Sequence, residues 1–209
     1  MFNSDDAGRL APLSNECSIT RVGAVRTRDP EGKKQQLFDA ALAEFAEFGV
    51  AGARVDRLAR RAGISPGLVY SFYKGKAELF DAVFDHIVEL TVATVPIDAD
   101  RLPEYAGQLH DAGAARPDVL RFLVWYHLER GEIAQRAAVT KAMAEKAEAI
   151  AAAQRRGTVN PDMPAQQLLA VVLAVANMWH QPGEDLRRLV PERQRRIVVT
   201  GTIARLVAP

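Results

Sequence analysis

Six basic side chains, Arg54, Arg57, Arg60, Arg61, Lys74 and Lys76, fall within residues 54–76, where Asp56 is the one acid. The segment carries a local charge of +5 in a chain of 209 residues whose net charge is +1. Phosphate binding needs such a basic face and does not need a basic protein. A solvated basic helix would look similar in charge, so the turn chemistry decides between the two. Val55, Leu58, Ala59 and Ala62 recur at helical spacing and form one apolar stripe. Gly63 then ends that helix, because glycine enters the left-handed conformation without steric cost. Ser65 followed by Pro66 restarts one, with a hydroxyl for the free amides and a proline at the first helical position. The second helix holds Leu68, Val69, Tyr70, Phe72 and Tyr73, too many large groups for one buried face. Helix, glycine turn and second helix make the DNA-reading helix-turn-helix.

Other chemistries find little support. The four histidines show no His-x-x-x-His spacing, and there is no glycine-rich phosphate loop or nucleophile elbow. Carboxylates alternate with bases on helical faces, as solvated surfaces do. The reading is of a protein that is not an enzyme and needs no cofactor or metal. Cys17 is the single cysteine, so no intramolecular disulfide or thiolate zinc site is possible. The longest apolar run, Leu168 to Ala176, is short of the roughly 20 residues that span a bilayer. No membrane association and a cytoplasmic location are expected.

The elements that must position the basic segment follow from periodicity. Residues 1–30 show no sustained pattern and read as a flexible arm whose arginines, Arg21, Arg26 and Arg28 among them, are offset by acids. A first helix is expected from Pro30 to Gly49, with Leu37, Phe38, Ala41, Leu42, Phe45 and Phe48 packing over the helix pair. A fourth helix is expected from Lys76 to Thr94. Further helices are expected over 101–114, 117–130, 133–156, 164–180 and 191–207, at proline and glycine breaks. The fold class is all-α, with about nine helices.

The segment from about Lys33 to Ile87 resembles the DNA-binding domain of the TetR (tetracycline repressor) family. The resemblance runs through LFDAALAEFAEFG, VDRLARRAGIS, GLVYSFYKGK and AELFDAVFDHI and covers about a quarter of the chain. It implies an N-terminal three-helix DNA-binding domain (31–76) and a helical ligand-binding and dimerisation domain (77–209). It places Pro66, Gly67 and Leu68 nearest the bases, with Ser65 at the start of that helix. Tyr70, Phe72 and Lys76 take backbone-gripping positions, and Arg54 sits where the preceding helix meets the phosphates; Arg57, which as an arginine beside this helix is more often a phosphate clamp than a base reader, and Lys74 complete the expected DNA-binding set. Val69 and Tyr73 turn into the small core. Three residues depart from the family pattern: Arg54 stands where Thr or Ser is usual, Phe72 lacks a polar tip, and Gly75 replaces a capping side chain.

The resemblance further implies a homodimer on a roughly palindromic double-stranded operator, acting as a repressor released by a small molecule. Leu169, Val172, Leu173 and Ala176 of one late helix and Ile197, Ile203 and Leu206 of the last are the expected dimer interface. Both helices are apolar on more than one side. An apolar or aromatic effector is expected against Tyr105, Leu109, Trp125, Tyr126, Met143, Met178 and Trp179, with Leu128 beside them and His110, His127 and His180 as polar candidates. A ligand-independent architectural or recruitment protein is the alternative. A broad apolar cavity would favour the regulator, and a closed C-terminal half the alternative.

Overall fold

The computed structural model describes residues 30–131, 136–180 and 183–209, and the expected N-terminal arm and Cys17 lie outside them. The described residues are helices joined by short connections: α1 (Pro30–Gly52), α2 (Val55–Arg61), α3 (Pro66–Phe72), α4 (Lys76–Thr94), α5 (Leu102–Ala115), α6 (Pro117–Arg130), α7 (Ala137–Arg156), α8 (Ala165–Asn177), α9 (Glu184–Leu189) and α10 (Glu192–Val207). A 3-10 turn, Ala99–Arg101, precedes α5. The all-α class is as expected. The short α9 is an addition, and the helix expected to reach residue 180 ends at Asn177. No helix among the described residues is long and apolar enough to cross a membrane.

Boundaries follow local chemistry. α4 begins and ends where the sequence places it. Gly75, at its N-cap, has no side chain to offer, and the Glu78 carboxylate instead accepts a hydrogen bond from the Lys74 N–H at 2.7 Å. The acid thus ties down the residue before the N-cap, in a first turn where the helix dipole also favours it. α1 breaks at Gly49, whose φ of 63° and ψ of −178° interrupt the helix before a last turn to Gly52. The Trp125 ring fills the space beside that break, and a Cβ on residue 49 would stand 2.9 Å from it.

Two apolar cores form. The first joins α1, α2 and α3 with α4 and α6, through Leu37, Phe45, Leu58, Val69, Phe80 and Phe122. Its rings interlock: Phe45 meets Phe80 edge-on at 5.0 Å, Phe80 meets Phe122 at 4.9 Å, and Phe84 stacks on Tyr126 at 3.8 Å. Such pairs add about 0.5–1.5 kcal/mol each beyond the burial itself. The second core gathers α5, α7, α8 and α10 around Leu102, Tyr105, Ile150, Leu168, Val172 and Ile203. Helix α6 therefore belongs to the head and not to the body, although it lies between them in sequence. Ion pairs fasten its C-terminal end: Arg130 reaches Asp81 of α4 at 2.8 Å and the Ala77 carbonyl at 3.0 Å. Arg136, just ahead of α7, pairs with Asp85.

Candidate DNA-binding surface

The head is organised by an acid that charge counting overlooks. Glu44 on α1 is fully buried, and its carboxylate accepts the Arg54 backbone N–H at 3.0 Å and the Arg57 Nε at 2.7 and 2.9 Å. Arg57 also donates to the Gly52 carbonyl at 3.2 Å and lies 3.9 Å over the Phe48 ring. The guanidinium is thus spent within the protein, tying the start of α2 to α1. Burial pushes the Glu44 carboxyl upward. The Arg57 hydrogen bond, the Arg54 N–H and the charges of Arg57 and Arg61 outweigh that and hold it below the usual carboxylate range. The glutamate hydrogen bond raises Arg57 in turn.

Lys76 is also engaged internally. Its ammonium donates to the Ala51 carbonyl at 2.8 Å and the Ala53 carbonyl at 3.2 Å, closing the end of α1. Arg57 and Lys76, expected to hold phosphates, therefore have structural partners that compete for their donors. Arg54, Arg60 and Lys74 are exposed, and none has a carboxylate partner among the described residues. Arg60 was not among the expected site residues.

Helix α3 is built as a presented element. Gly63 has a φ of 63°, as the turn requires. The Ser65 side chain accepts the Leu68 N–H at 3.3 Å and Pro66 occupies the first turn. Val69 is buried, and Tyr73 packs against the head core beside Phe38. Anchored on that face, α3 turns Ser65, Pro66, Gly67, Tyr70, Ser71 and Phe72 outward, while Leu68 is half-buried. Tyr70 is 56% exposed and Phe72 40%, which is unusual for such large apolar groups and fits contact with a partner. The Ser71 hydroxyl, absent from the expected set, donates to the Leu68 carbonyl at 2.7 Å.

The expected effector residues do not meet in one place. Tyr105, Leu109 and Trp179 are buried in the body core, with Met143 and Met178 packed at its edge. Tyr126 and Trp125 belong to the head core, because α6 turns its aromatic face toward α1 and α4. Leu128 is 73% exposed and His127 lies on the surface. His110 and His180 do come together, stacked at 4.8 Å.

The expected dimer residues also need correction. Leu169, Val172, Ala176 and Ile203 are sealed in the chain's own body core and cannot reach another chain. Both late helices are apolar on two sides because α5 and α7 cover the inner side. Ile197 is exposed, and Leu173 and Leu206 are half-buried. Of the apolar side chains of α8 and α10, Ala170, Ala174, Ile197 and Ala204 remain outward, beside the exposed Gln166, Gln167, Arg193, Thr202 and Arg205.

Comparison with known proteins agrees with this geometry. Residues 37–83 match the model of bacterial regulatory proteins, tetR family, and residues 101–205 match the tetracyclin repressor-like C-terminal domain. The HTH-type transcriptional repressor SCO4008 of Streptomyces coelicolor is 37% identical over 165 residues, which span 78% of this chain and 85% of that protein. The HTH-type transcriptional regulator SrpR of Pseudomonas putida is 40% identical over 65 residues, 30% of each chain. Among solved structures, SCO4942 of Streptomyces coelicolor, assigned as a transcriptional regulator, superposes with a TM-score of 0.75 at 29% identity, covering 84% of this chain and 98% of that one.

Proposed function

The chain belongs to the TetR family of helix-turn-helix DNA-binding transcriptional regulators, and on that premise we propose that it is a dimeric repressor that releases a roughly palindromic operator when a small molecule binds its C-terminal domain. The observation that carries the reading is helix α3: capped by Ser65, pinned by Val69 and Tyr73, and outward-facing beside cations that have no carboxylate partner among the described residues. The named relatives are transcription factors, and this chain is one as well rather than an enzyme.

The division of labour follows from the side chains. Pro66, Gly67 and the exposed part of Leu68 form a small apolar tip that can touch a thymine methyl but cannot fork onto guanine. Arg54 and Lys74 supply phosphate contacts, and Tyr70 and Phe72 pack against the sugar-phosphate backbone. Such a surface draws most of its affinity from the backbone and part of its specificity from DNA shape. Two-fold pairing sets the spacing of two α3 helices about one DNA turn, ~34 Å, or somewhat more apart. The outward face of α8 and α10, around Ala170, Ala174, Ile197 and Ala204, is the pairing surface. Its small residues permit close helix approach.

Helix α6 supports a switch. One face holds Phe122, Trp125 and Tyr126 in the head core, and the opposite face carries Leu120, Arg121 and Val124 at a cleft beside α5. A ligand in that cleft bears on an element rigidly joined to α1 and α4, the arrangement a rigid-body transition needs. The ligand-independent alternative draws support from the closed body core, and the cleft stands against it. A mobility-shift titration on the DNA flanking the chain's own gene tests the reading. A discrete complex that resists scrambled competitor is expected. Equal affinity for scrambled DNA contradicts it.

A further inference from the structure

The cleft between α5, α6 and the end of α8, closed on its far side by α9 and α10, has a volume of about 530 Å³. That lies within the range of small-molecule sites. Its charge is lopsided. Arg121, Arg187 and Arg195 line it against a single acid, Glu192. Arg195 is fixed in place without a carboxylate partner: its Nε donates to the Val190 carbonyl at 3.2 Å and an Nη to the Arg187 carbonyl at 2.8 Å. The same guanidinium lies 5.8 Å over the Trp179 ring. Arg121 and Arg187 have no ion-pair partner among the described residues. Elsewhere on the body most arginines are paired, as Arg196 is with Glu104 and Asp111, both at 2.8 Å, while Arg193 and Arg205 on α10 are exposed without a carboxylate partner among the described residues.

The floor of the cleft also holds unspent hydrogen-bonding capacity. Trp179 is 5% exposed and His110 7%, and the Trp179 Nε1 and the His110 Nδ1 are buried without partners among the described residues. Leaving such groups unpaired costs about 1–3 kcal/mol each, so both are available to a polar group that enters the cleft. His180 stacks on His110 and donates its Nε2–H to the His110 carbonyl at 3.0 Å. Burial lowers the His180 pKa, which the carbonyl contact only partly offsets, so the imidazole adds no charge at neutral pH. The facing wall is apolar: Pro117, Leu120 and Val124, the last 44% exposed.

One anchored guanidinium beside two without carboxylate partners among the described residues, a buried indole donor and an apolar wall match one ligand chemistry. We propose that this cleft binds a small organic monocarboxylate with an aromatic or branched apolar body, the carboxylate meeting Arg121, Arg187 and Arg195 and the body lying between Trp179 and the Leu120–Val124 face. The proposal rests on the reading of the C-terminal domain as ligand-responsive and gives that reading a chemical class. Arginine is suited to the task because its planar fork meets a carboxylate bidentately.

Calorimetric titration of the full chain with 4-phenylbutyrate, its amide, 4-phenylbutylamine and inorganic phosphate tests the class. The carboxylate is expected to bind about tenfold or more tightly than the other three. Combined Arg121→Gln and Arg187→Gln substitution is expected to weaken the carboxylate about tenfold and leave the amide unchanged, which also reports an intact fold. In Trp125→Phe protein Trp179 is the sole tryptophan, and its emission is expected to shift on binding. Equal binding of acid and amide, preference for the amine, equal binding of phosphate, no binding of the acid, or an unchanged affinity in the double variant each overturn the proposal. Mobility shifts with 4-phenylbutyrate separate the two readings. Carboxylate binding that leaves the DNA complex intact supports the site and contradicts ligand-responsive repression. Absence of carboxylate binding beside specific DNA binding overturns the site alone.

Discussion

The head pairs part of its arginine charge with acids, whereas the α5–α6 cleft pairs none of its arginines with an acid among the described residues. In the head, Arg57 is locked onto buried Glu44 and Arg130 onto Asp81, so much of the charge that marks the segment in sequence is spent on holding α1, α2, α4 and α6 together. In the cleft, Arg121 and Arg187 have no ion-pair partner among the described residues and Arg195 is anchored by carbonyls, so charge is held in reserve. Buried polar atoms without partners among the described residues occur in both regions, at His86 Nε2 and the Tyr126 hydroxyl in the head and at Trp179 Nε1 and His110 Nδ1 below, but the latter pair lines a cleft with three arginines. A basic cluster is therefore an unreliable sign of a binding face until its internal acids are known. Unpaired cations beside unsatisfied buried donors are a better one.

That contrast can be broken or sharpened by substitution, beginning with the strongest effect. Phe122→Ala opens the centre of the head core and is expected to cost about 3–5 kcal/mol, seen as a fall in the thermal midpoint together with lost DNA binding. A small change there would mean that α6 is not part of the head. Glu44→Gln is expected to cost about 2–3 kcal/mol in denaturant unfolding, since Arg57 loses its counter-ion. The same substitution should flatten the acid limb of stability. A carboxylate with a folded pKa below its ordinary value of 4.5 contributes stability that is full above 4.5 and is lost as pH falls through the lowered value. An acid limb unchanged in Glu44→Gln would contradict the pairing.

Gly49→Ala puts a Cβ into the Trp125 ring at a left-handed backbone position and is expected to cost about 1–2 kcal/mol. A neutral result in thermal unfolding would show that the break in α1 is loosely packed. Lys74→Ala, the mildest, should leave stability unchanged and reduce the slope of log affinity against log salt by about one. Lys76→Ala, by contrast, should lower stability as well as DNA affinity, because its ammonium closes the end of α1. Identical behaviour of the two lysine variants would erase the distinction between spent and available charge.

Much of the head was legible because each boundary has a local chemical sign: Gly63, Ser65–Pro66 and the Lys76 start are written in residue types that act on their own backbone. The two-sided apolar pattern of α8 was legible as well, but its meaning was not. Periodicity shows that a helix is covered on two sides without saying whether its own chain or a second one does the covering. Here α5, α7 and α10 supply the inner cover, so Val172 and Ile203 lie inside the chain. Trp125 and Tyr126 were misplaced for a related reason: α6 follows α5 in sequence yet packs on the head. Glu44 left one faint sign, an acid inside the apolar stripe of the first helix shortly before two arginines. The six-residue α9 offers too little pattern to be seen.

Footprinting of the full chain on the DNA flanking its own gene tests the central claim most directly, that two copies of this head read one two-fold site. The account predicts a pair of protected half-sites related by two-fold symmetry, about one helical turn or somewhat more apart, with weakened protection of both when either is scrambled. A single protected half-site, or uniform protection without symmetry, would contradict it.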